Sequence, residues 1–321
     1  MKHTAIAHPI QGLIKYHGLK NSERRIPFHD SISVCVNALH TTTTVETIES
    51  LEKDLVVVNE RKIVGSELKR VELVFNQLRE MTHFPGHFKV ISRNDIASGK
   101  GLGFSASGFA ALGKATCAAL GLEIDYVSLS ELVRLGAGSA TRSLAGSFAR
   151  WFADKKGRSY AEQLVEPDSV DFGMVVVPIY SKVKTDDAHA EVTSSPLFRA
   201  RLDHVPKILG KMEEAIRVGD VTTIGRLAEE DTLSLHASTM TGKARMFLWE
   251  PKTVRIIREV QQMRSEGVPA WYSIDTGPSV FVNTFRENTR EIADRLEELG
   301  IPEVIESRVG GEPFLSHKHL F

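Results

Sequence analysis

The stretch GLGFSASGFAAL, residues 101–112, decides how this chain is read, because a glycine- and serine-rich loop runs there straight into a helical apolar pattern. Glycines let a backbone approach an anion closely and take positive φ. The first N–H groups of the following helix, with the positive end of its dipole, then point at the bound charge. Gly101, Gly103, Ser105, Ala106 and Ser107 are therefore the expected phosphate-binding group, Ser105 and Ser107 adding hydroxyls. Phe109, Leu112, Ala115, Thr116 and Leu120 share one helix face, and Gly121 can end it. The stretch is neither the Walker pattern nor a GxGxxG dinucleotide turn, and small residues also serve tight helix packing, so the rest of the chain must decide.

Outward from the loop, 321 residues with 42% apolar content suffice for two domains or one large one. Lys plus Arg number 40 against 41 Asp plus Glu, which lacks the broad basic footprint of a nucleic-acid binder. Cys35 and Cys117 are too few for a disulfide framework and read as core residues in a reducing compartment. No stretch approaches the ~18 consecutive apolar residues of a membrane span, and the N-terminus has no long apolar segment. The expectation is a cytoplasmic protein with neither nucleic-acid nor membrane partners.

Residues 31–38, 54–58 and 88–92 read as extended and 67–81 as helical. Ser128 with Glu131 reads as a capping box for a helix ending at Gly136. GAGSATR, residues 136–142, is a second glycine/serine-rich helix entrance, leading into a helical pattern through Leu144, Phe148 and Trp151. Residues 175–180 read as a buried strand and 181–195 as a loop or domain junction. Amphipathic stripes follow over 205–216, 224–235 and 253–263, the last after Pro251. Strand patterns at 271–274, 280–283 and 304–308 interleave with a helix capped by Asn288 and Glu291 and ending at Leu299 and Gly300.

Six further segments carry a resemblance: IKYHG at 14–18, HDSISV at 29–34, Arg70 in the helix ending QLRE, GSATRSL at 138–144, LHAS at 235–238 and IDTGPSV at 274–280. With the phosphate loop they resemble the GHMP small-molecule kinase superfamily, in particular its mevalonate diphosphate decarboxylase branch, and they stand in that family's order. The resemblance implies a two-domain α+β fold, with a ribosomal-protein-like domain over 1–185 and a ferredoxin-like domain over 186–321. It implies ATP and Mg²⁺ as cofactors and leaves a homodimer open. In that family ATP phosphorylates a tertiary alcohol, the new phosphate leaves, and a neighbouring carboxylate departs as carbon dioxide to give an alkene. Asp275 matches the catalytic aspartate, Lys15 the lysine near it, and Arg142 with Ser139 the group that holds the substrate carboxylate. Tyr16 and Arg70 fall at substrate-binding positions of the same pattern. Taken without the family, Asp-Thr-Gly-Pro is also a good turn, Lys15 a surface lysine, Arg70 an ion-pairing helix residue and His236 a structural histidine.

The pattern is broken where the family reads IKYWGK. Here His17 replaces tryptophan, and Leu19 replaces a lysine that faces the substrate's diphosphate. Ala137 has lost a serine hydroxyl of the same subsite; Phe104 replaces a serine of the phosphate loop and Ala97 its proline. Each lost charged hydrogen bond weakens phosphate binding by about 1.5–3 kcal/mol, so a monophosphate substrate gains ground. AHPIQGLIKYHG followed by HDSISV looks most like phosphomevalonate decarboxylases. The function implied is ATP-dependent conversion of mevalonate 5-phosphate to isopentenyl phosphate in an alternative mevalonate pathway. Lys182, Lys184 and His189 are candidates for the missing cation. Alternatives are the same chemistry on the 5-diphosphate, a 3-kinase that stops at the phosphorylated alcohol, an ATP-independent decarboxylase of the 3,5-bisphosphate, and a non-catalytic sensor.

Overall fold

A computed structural model describes residues 1–96, 100–180 and 185–321, which form an α+β protein of mixed helices and strands. The first sheet has six strands in the order Phe314–Ser316, Lys2–Ala7, Thr41–Ile48, His87–Asn94, Leu55–Val58, Arg61–Lys62. Thr41–Ile48, TTTTVETI, is almost wholly β-branched, which suits a pleated, half-covered surface. Helix Phe104–Leu120 lies across this sheet on Ala110, Ala111 and Ala115, whose small side chains allow close approach. The approach places the loop before that helix against strand Ile10–Ile14: a Cβ on Gly103 would meet the Ile10 carbonyl oxygen at 2.7 Å.

Strand Ile10–Ile14 is the edge of a second sheet, ordered Ala161–Val165, Phe148–Trp151, Ser31–Cys35, Ile10–Ile14. A third, antiparallel sheet runs Trp271–Ser273, Val280–Phe285, Phe172–Val177, Ile305–Arg308. Helices Pro251–Ser265 and Thr289–Glu298 cover one face of it, and helices Phe198–Val218 and Val221–Met240 the other. Phe172–Val177, FGMVVV, is buried on both faces and accordingly reads as a continuous apolar run. One core joins the halves: Leu13, Ile14 and Phe148 pack in the same cluster as Phe172, Met174 and Ile208. The chain also returns on itself, since Phe314–Ser316 pairs with Lys2–Ala7. Among the described residues no helix is long and apolar enough to cross a membrane. Cys35 and Cys117 are free and buried, and burial pushes both thiols up to about 12, which makes them inert core residues.

Three local expectations are corrected. The helix through Phe148 and Trp151 does not exist: it stops at Ala145, because Gly146 and Ser147 both take positive φ, and Phe148–Trp151 is a strand. Ser128 does not cap its helix. Asp125 does, accepting from the Ser128 N–H at 3.0 Å, while Glu131 is drawn away to Arg158. Asn288 makes no side-chain cap; a 3₁₀ turn, Arg286–Asn288, starts that helix instead.

Candidate active site

The site grows from strand Ile10–Ile14, wholly buried and tied to the third sheet where the Gln11 amide donates to Asn283 Oδ1 at 2.8 Å. Lys15 follows at the end of the strand, and Asp275 stands in the turn after Trp271–Ser273. The Gly12 N–H donates to Asp275 Oδ1 at 3.0 Å, and the Ser273 hydroxyl donates to the Gly12 carbonyl at 3.1 Å. A side chain at residue 12 has no room: its Cβ would lie 2.7 Å from Lys15 Cγ and 2.9 Å from Asp275 Oδ1. Lys15 Nζ donates to Thr232 Oγ1 at 3.0 Å and Ser273 Oγ at 2.9 Å and lies 3.8 Å from Asp231. Burial lowers the Lys15 pKa against the pull of Asp231 and Asp275. Burial also raises Asp275 from 3.8 to about 6, although Lys15, the Gly12 N–H and Arg142 all favour its charged form. The two groups are thus brought toward a common proton affinity.

Arg142 comes from helix Ala140–Ala145 and is 3% exposed. Its guanidinium lies 5.5 Å from the Tyr16 ring centre and 5.9 Å from that of Trp151, a setting favourable to a cation. Nε and Nη1 have no hydrogen-bond partner among the described residues. Buried donors left unpaired in this way are costly, and a guanidinium so placed is suited to an anionic partner.

The phosphate loop closes the other side. Gly101 has φ +64° and packs backbone to backbone on Gly277 of the Asp275 turn; a Cβ there would meet Gly277 Cα at 2.7 Å. The Ser279 hydroxyl reinforces this contact through the Lys100 carbonyl. Ser105 is exposed in the first turn of the helix and lines the cleft. Ser107 is a correction: it is fully buried, with its hydroxyl 2.7 Å from Thr41 Oγ1. Two residues along a helix is more than half a turn, so Ser105 and Ser107 face opposite ways. Ala106 is likewise buried, packed with Ile10 and Cys35.

Lys15, Arg142, Asp275, Gly101, Gly103 and Ser105 border one cleft of about 670 Å³. Tyr16, Ser139, Arg70 and His189 border it too. His189 stacks on Tyr16 at 4.5 Å, and its Nδ1 is 3.1 Å from His17 Nδ1. Burial holds His17 neutral, and its Nε2 bonds Thr239 Oγ1 at 2.9 Å. Arg70 donates to the Gly136 carbonyl at 2.7 Å across the Phe109 ring. His236 is buried against Trp249, and burial lowers it to about 3, a neutral structural histidine. Lys182, Lys184 and Ala97 lie outside the described residues. Leu19 opens a short hairpin with Pro27 and does not line the cleft, but Arg25 of the same hairpin does. Arg25, Asp231, Arg201, Thr232 and Ser273 are site neighbours that the motifs did not reveal. Asp231, mid-helix among Leu227, Ala228 and Leu235, was visible as a charge on an apolar face; Arg201, in a charge-rich helix start, carried no such signal. An apolar patch of Val56, Val58, Ile63, Val90, Phe109 and Leu112 also lines the cleft, beside polar residues that include Arg61, Glu67 and Asn94.

Residues 7–161 match the model of the diphosphomevalonate decarboxylase-like N-terminal domain, and residues 182–315 that of the mevalonate 5-diphosphate decarboxylase C-terminal domain. Phosphomevalonate decarboxylase of Haloferax volcanii is 39% identical over 305 residues, 94% of each chain. The mevalonate diphosphate decarboxylase of Enterococcus faecalis has a solved structure that superposes with a TM-score of 0.91 at 30% identity, covering 99% of both chains. A further solved structure, MDDEF in complex with MVAPP, AMPPCP and magnesium, gives a TM-score of 0.91 at 29% identity and the same coverage.

Proposed function

We propose, since the chain belongs to the diphosphomevalonate decarboxylase family, that it converts mevalonate 5-phosphate and ATP to isopentenyl phosphate, ADP, phosphate and carbon dioxide. The observation that carries this reading is that the buried guanidinium of Arg142, with no charged partner of its own among the described residues, borders the same cleft as Asp275, Lys15 and the glycine loop. Arg142 binds the substrate carboxylate in a planar clamp beside two aromatic faces. Asp275, with its proton affinity raised by burial, orients the tertiary hydroxyl and takes its proton as phosphoryl transfer proceeds. Lys15 keeps the resulting charge balanced.

The backbone around Gly101 and Gly103, free of Cβ atoms and opening helix Phe104–Leu120, suits the ATP phosphates, and the apolar patch suits the adenine ring. Mg²⁺ would enter with the nucleotide and, when bound, would supply charge neutralisation at the transferred phosphoryl group. Once the C3 oxygen carries phosphate, its C–O bond breaks with phosphate leaving, the carboxylate C–C bond breaks with carbon dioxide leaving, and that electron pair forms the alkene. Arg142 releases its hold as the carboxylate loses its charge.

Ala137 lines the cleft without the serine hydroxyl of the family pattern, and Leu19, outside the lining, puts no cation where that pattern has a lysine; both losses favour the monophosphate. Arg25, on the hairpin that Leu19 opens, supplies a cation of different reach on the same wall. The second reading, the same chemistry on the 5-diphosphate, is favoured by the likeness to the Enterococcus faecalis enzyme. Incubation with ATP, Mg²⁺ and each substrate, with products identified by ³¹P NMR, separates the two. Isopentenyl phosphate with equimolar ADP and phosphate supports the first reading. Bisphosphate without carbon dioxide, or carbon dioxide without ATP, rejects it.

A further inference from the structure

Lys15 is held more tightly than a charge donor requires. The Thr232 hydroxyl gives its own proton to the Ala228 carbonyl at 2.8 Å, and the Ser273 hydroxyl gives its proton to the Gly12 carbonyl at 3.1 Å. Each can therefore only accept from Lys15 Nζ, at 3.0 and 2.9 Å. Among the described residues two of the three N–H directions of the ammonium are occupied in this way, and one is left.

The backbone of Lys15 is gripped as well. Its N–H donates to Asp231 Oδ2 at 2.9 Å, and its carbonyl accepts from Arg201 Nη2 at 2.8 Å. Arg201 Nη2 also donates to Asp231 Oδ1 at 2.9 Å, and Nη1 to Ser234 Oγ at 3.0 Å. Where edge strand Ile10–Ile14 runs out, one Arg–Asp pair thus takes the place of a neighbouring strand for residue 15. Asp231 is 0% and Arg201 2% exposed. Burying such a pair is no net gain in stability over an apolar pair, so its retention needs another reason. Asp231 lies 2.9 Å from Arg201 but 3.8 Å from Lys15 Nζ, which makes Arg201 its nearer counter-ion, while the Lys15 charge is felt by both Asp231 and Asp275.

We propose that Asp231 and Arg201 are positioning residues of the reaction, fixing Lys15 so that one N–H and its charge are offered to Asp275 and the substrate. This rests on the roles proposed above for Lys15 and Asp275. The charged and titratable groups around Lys15 are Asp231 and His236 from helix Val221–Met240, Arg201 from helix Phe198–Val218, Arg142 from its short helix, and Asp275. Of these, Asp231 raises the Lys15 pKa more than Arg201 lowers it.

The test is the double variant Asp231→Asn/Arg201→Gln, which removes both charges together and keeps hydrogen-bonding side chains of similar size. It should fold, lose at least about 10-fold in kcat and change KM for ATP and mevalonate 5-phosphate by less than about threefold. The basic limb of its kcat profile should move to lower pH, because the larger influence on Lys15 is gone. Arg201→Lys keeps the charge but cannot span the Lys15 carbonyl and Asp231 as a fork, so it should lose part of kcat with the limb unmoved. A folded double variant with wild-type kcat and an unmoved limb overturns the proposal. The wild-type protein offers a reading without substitution: with ¹⁵N-labelled lysine, the Lys15 ammonium should show arrested rotation and slow proton exchange. A freely rotating, fast-exchanging ammonium overturns it too. If the wild type turns over neither mevalonate phosphate, the functional reading fails, and the ammonium measurement still judges the cradle.

Discussion

Asp275→Asn should inactivate the protein and stabilise it at the same time. The carboxyl lines the cleft, where burial raises its pKa from 3.8 to about 6. A carboxyl whose folded pKa lies above its unfolded value binds its proton more tightly in the folded state. Ionising it therefore costs stability, progressively from pH 4 to pH 6, and fully above that. At 1.36 kcal/mol per pH unit the cost is about 3 kcal/mol, which water in the cleft screens to about 2 kcal/mol. Asparagine has the same shape and no charge to bury. With an unfolding entropy of about 2.1 cal/mol/K per residue, that gain corresponds to a Tm about 3 °C higher at pH 7.5. Near pH 4, where wild-type Asp275 is already protonated, the difference should vanish. Turnover should fall by at least about 10²-fold, because the proton acceptor is lost while the fit for substrate is kept. Differential scanning calorimetry across pH, paired with ADP release, measures both halves. An Asp275→Asn protein that is no more stable than wild type at pH 7.5, or that turns over normally, would refute the reasoning.

Four other outcomes follow from the geometry. Wild-type kcat/KM should fall on the acid side with an apparent pKa near 6, as Asp275 takes up its proton, and a flat profile down to pH 5 would contradict that role. Arg142→Lys should lower kcat/KM for mevalonate 5-phosphate by about 10–100-fold through loss of the forked bond, visible in steady-state kinetics as both a raised KM and a lowered kcat. Gly12→Ala should fold yet lose at least about 10-fold in kcat, since the new methyl group displaces Lys15 or Asp275; a crystal structure of the variant would show which has moved. Leu19→Lys with Ala137→Ser should raise kcat/KM on the 5-diphosphate relative to the monophosphate by roughly 10-fold, read from parallel assays on the two substrates.

The glycine loop was legible from its own residues, because a helix entrance needs glycines. Asp275, Lys15 and Arg142 could be singled out only through the family resemblance, because alone they read as a turn, a surface lysine and a helix-end arginine; the structure brings all of them to one cleft. Direction was less legible: Ser105 and Ser107 look equivalent in the string, but the helical repeat sends one to the cleft and the other to Thr41. The strand Phe148–Trp151 was hidden because its apolar spacing also fits a helix, and only the positive φ at Gly146 and Ser147 separates the two. Asp231 and Arg201 could not be found from motifs at all. They meet Lys15 across 216 and 186 residues of chain, so their part in the site exists only once the halves have packed together.

The central claim is tested most directly by competition. With ATP and Mg²⁺ present, equal concentrations of mevalonate 5-phosphate and its 5-diphosphate, labelled differently at the carboxylate carbon, compete for one enzyme, and the labels in the released carbon dioxide give the ratio of the two kcat/KM values. A subsite without the Leu19 lysine and the Ala137 hydroxyl should release label from the monophosphate in at least about 10-fold excess. Label released mainly from the diphosphate, or none without a prior phosphorylated intermediate supplied from outside, would contradict the account.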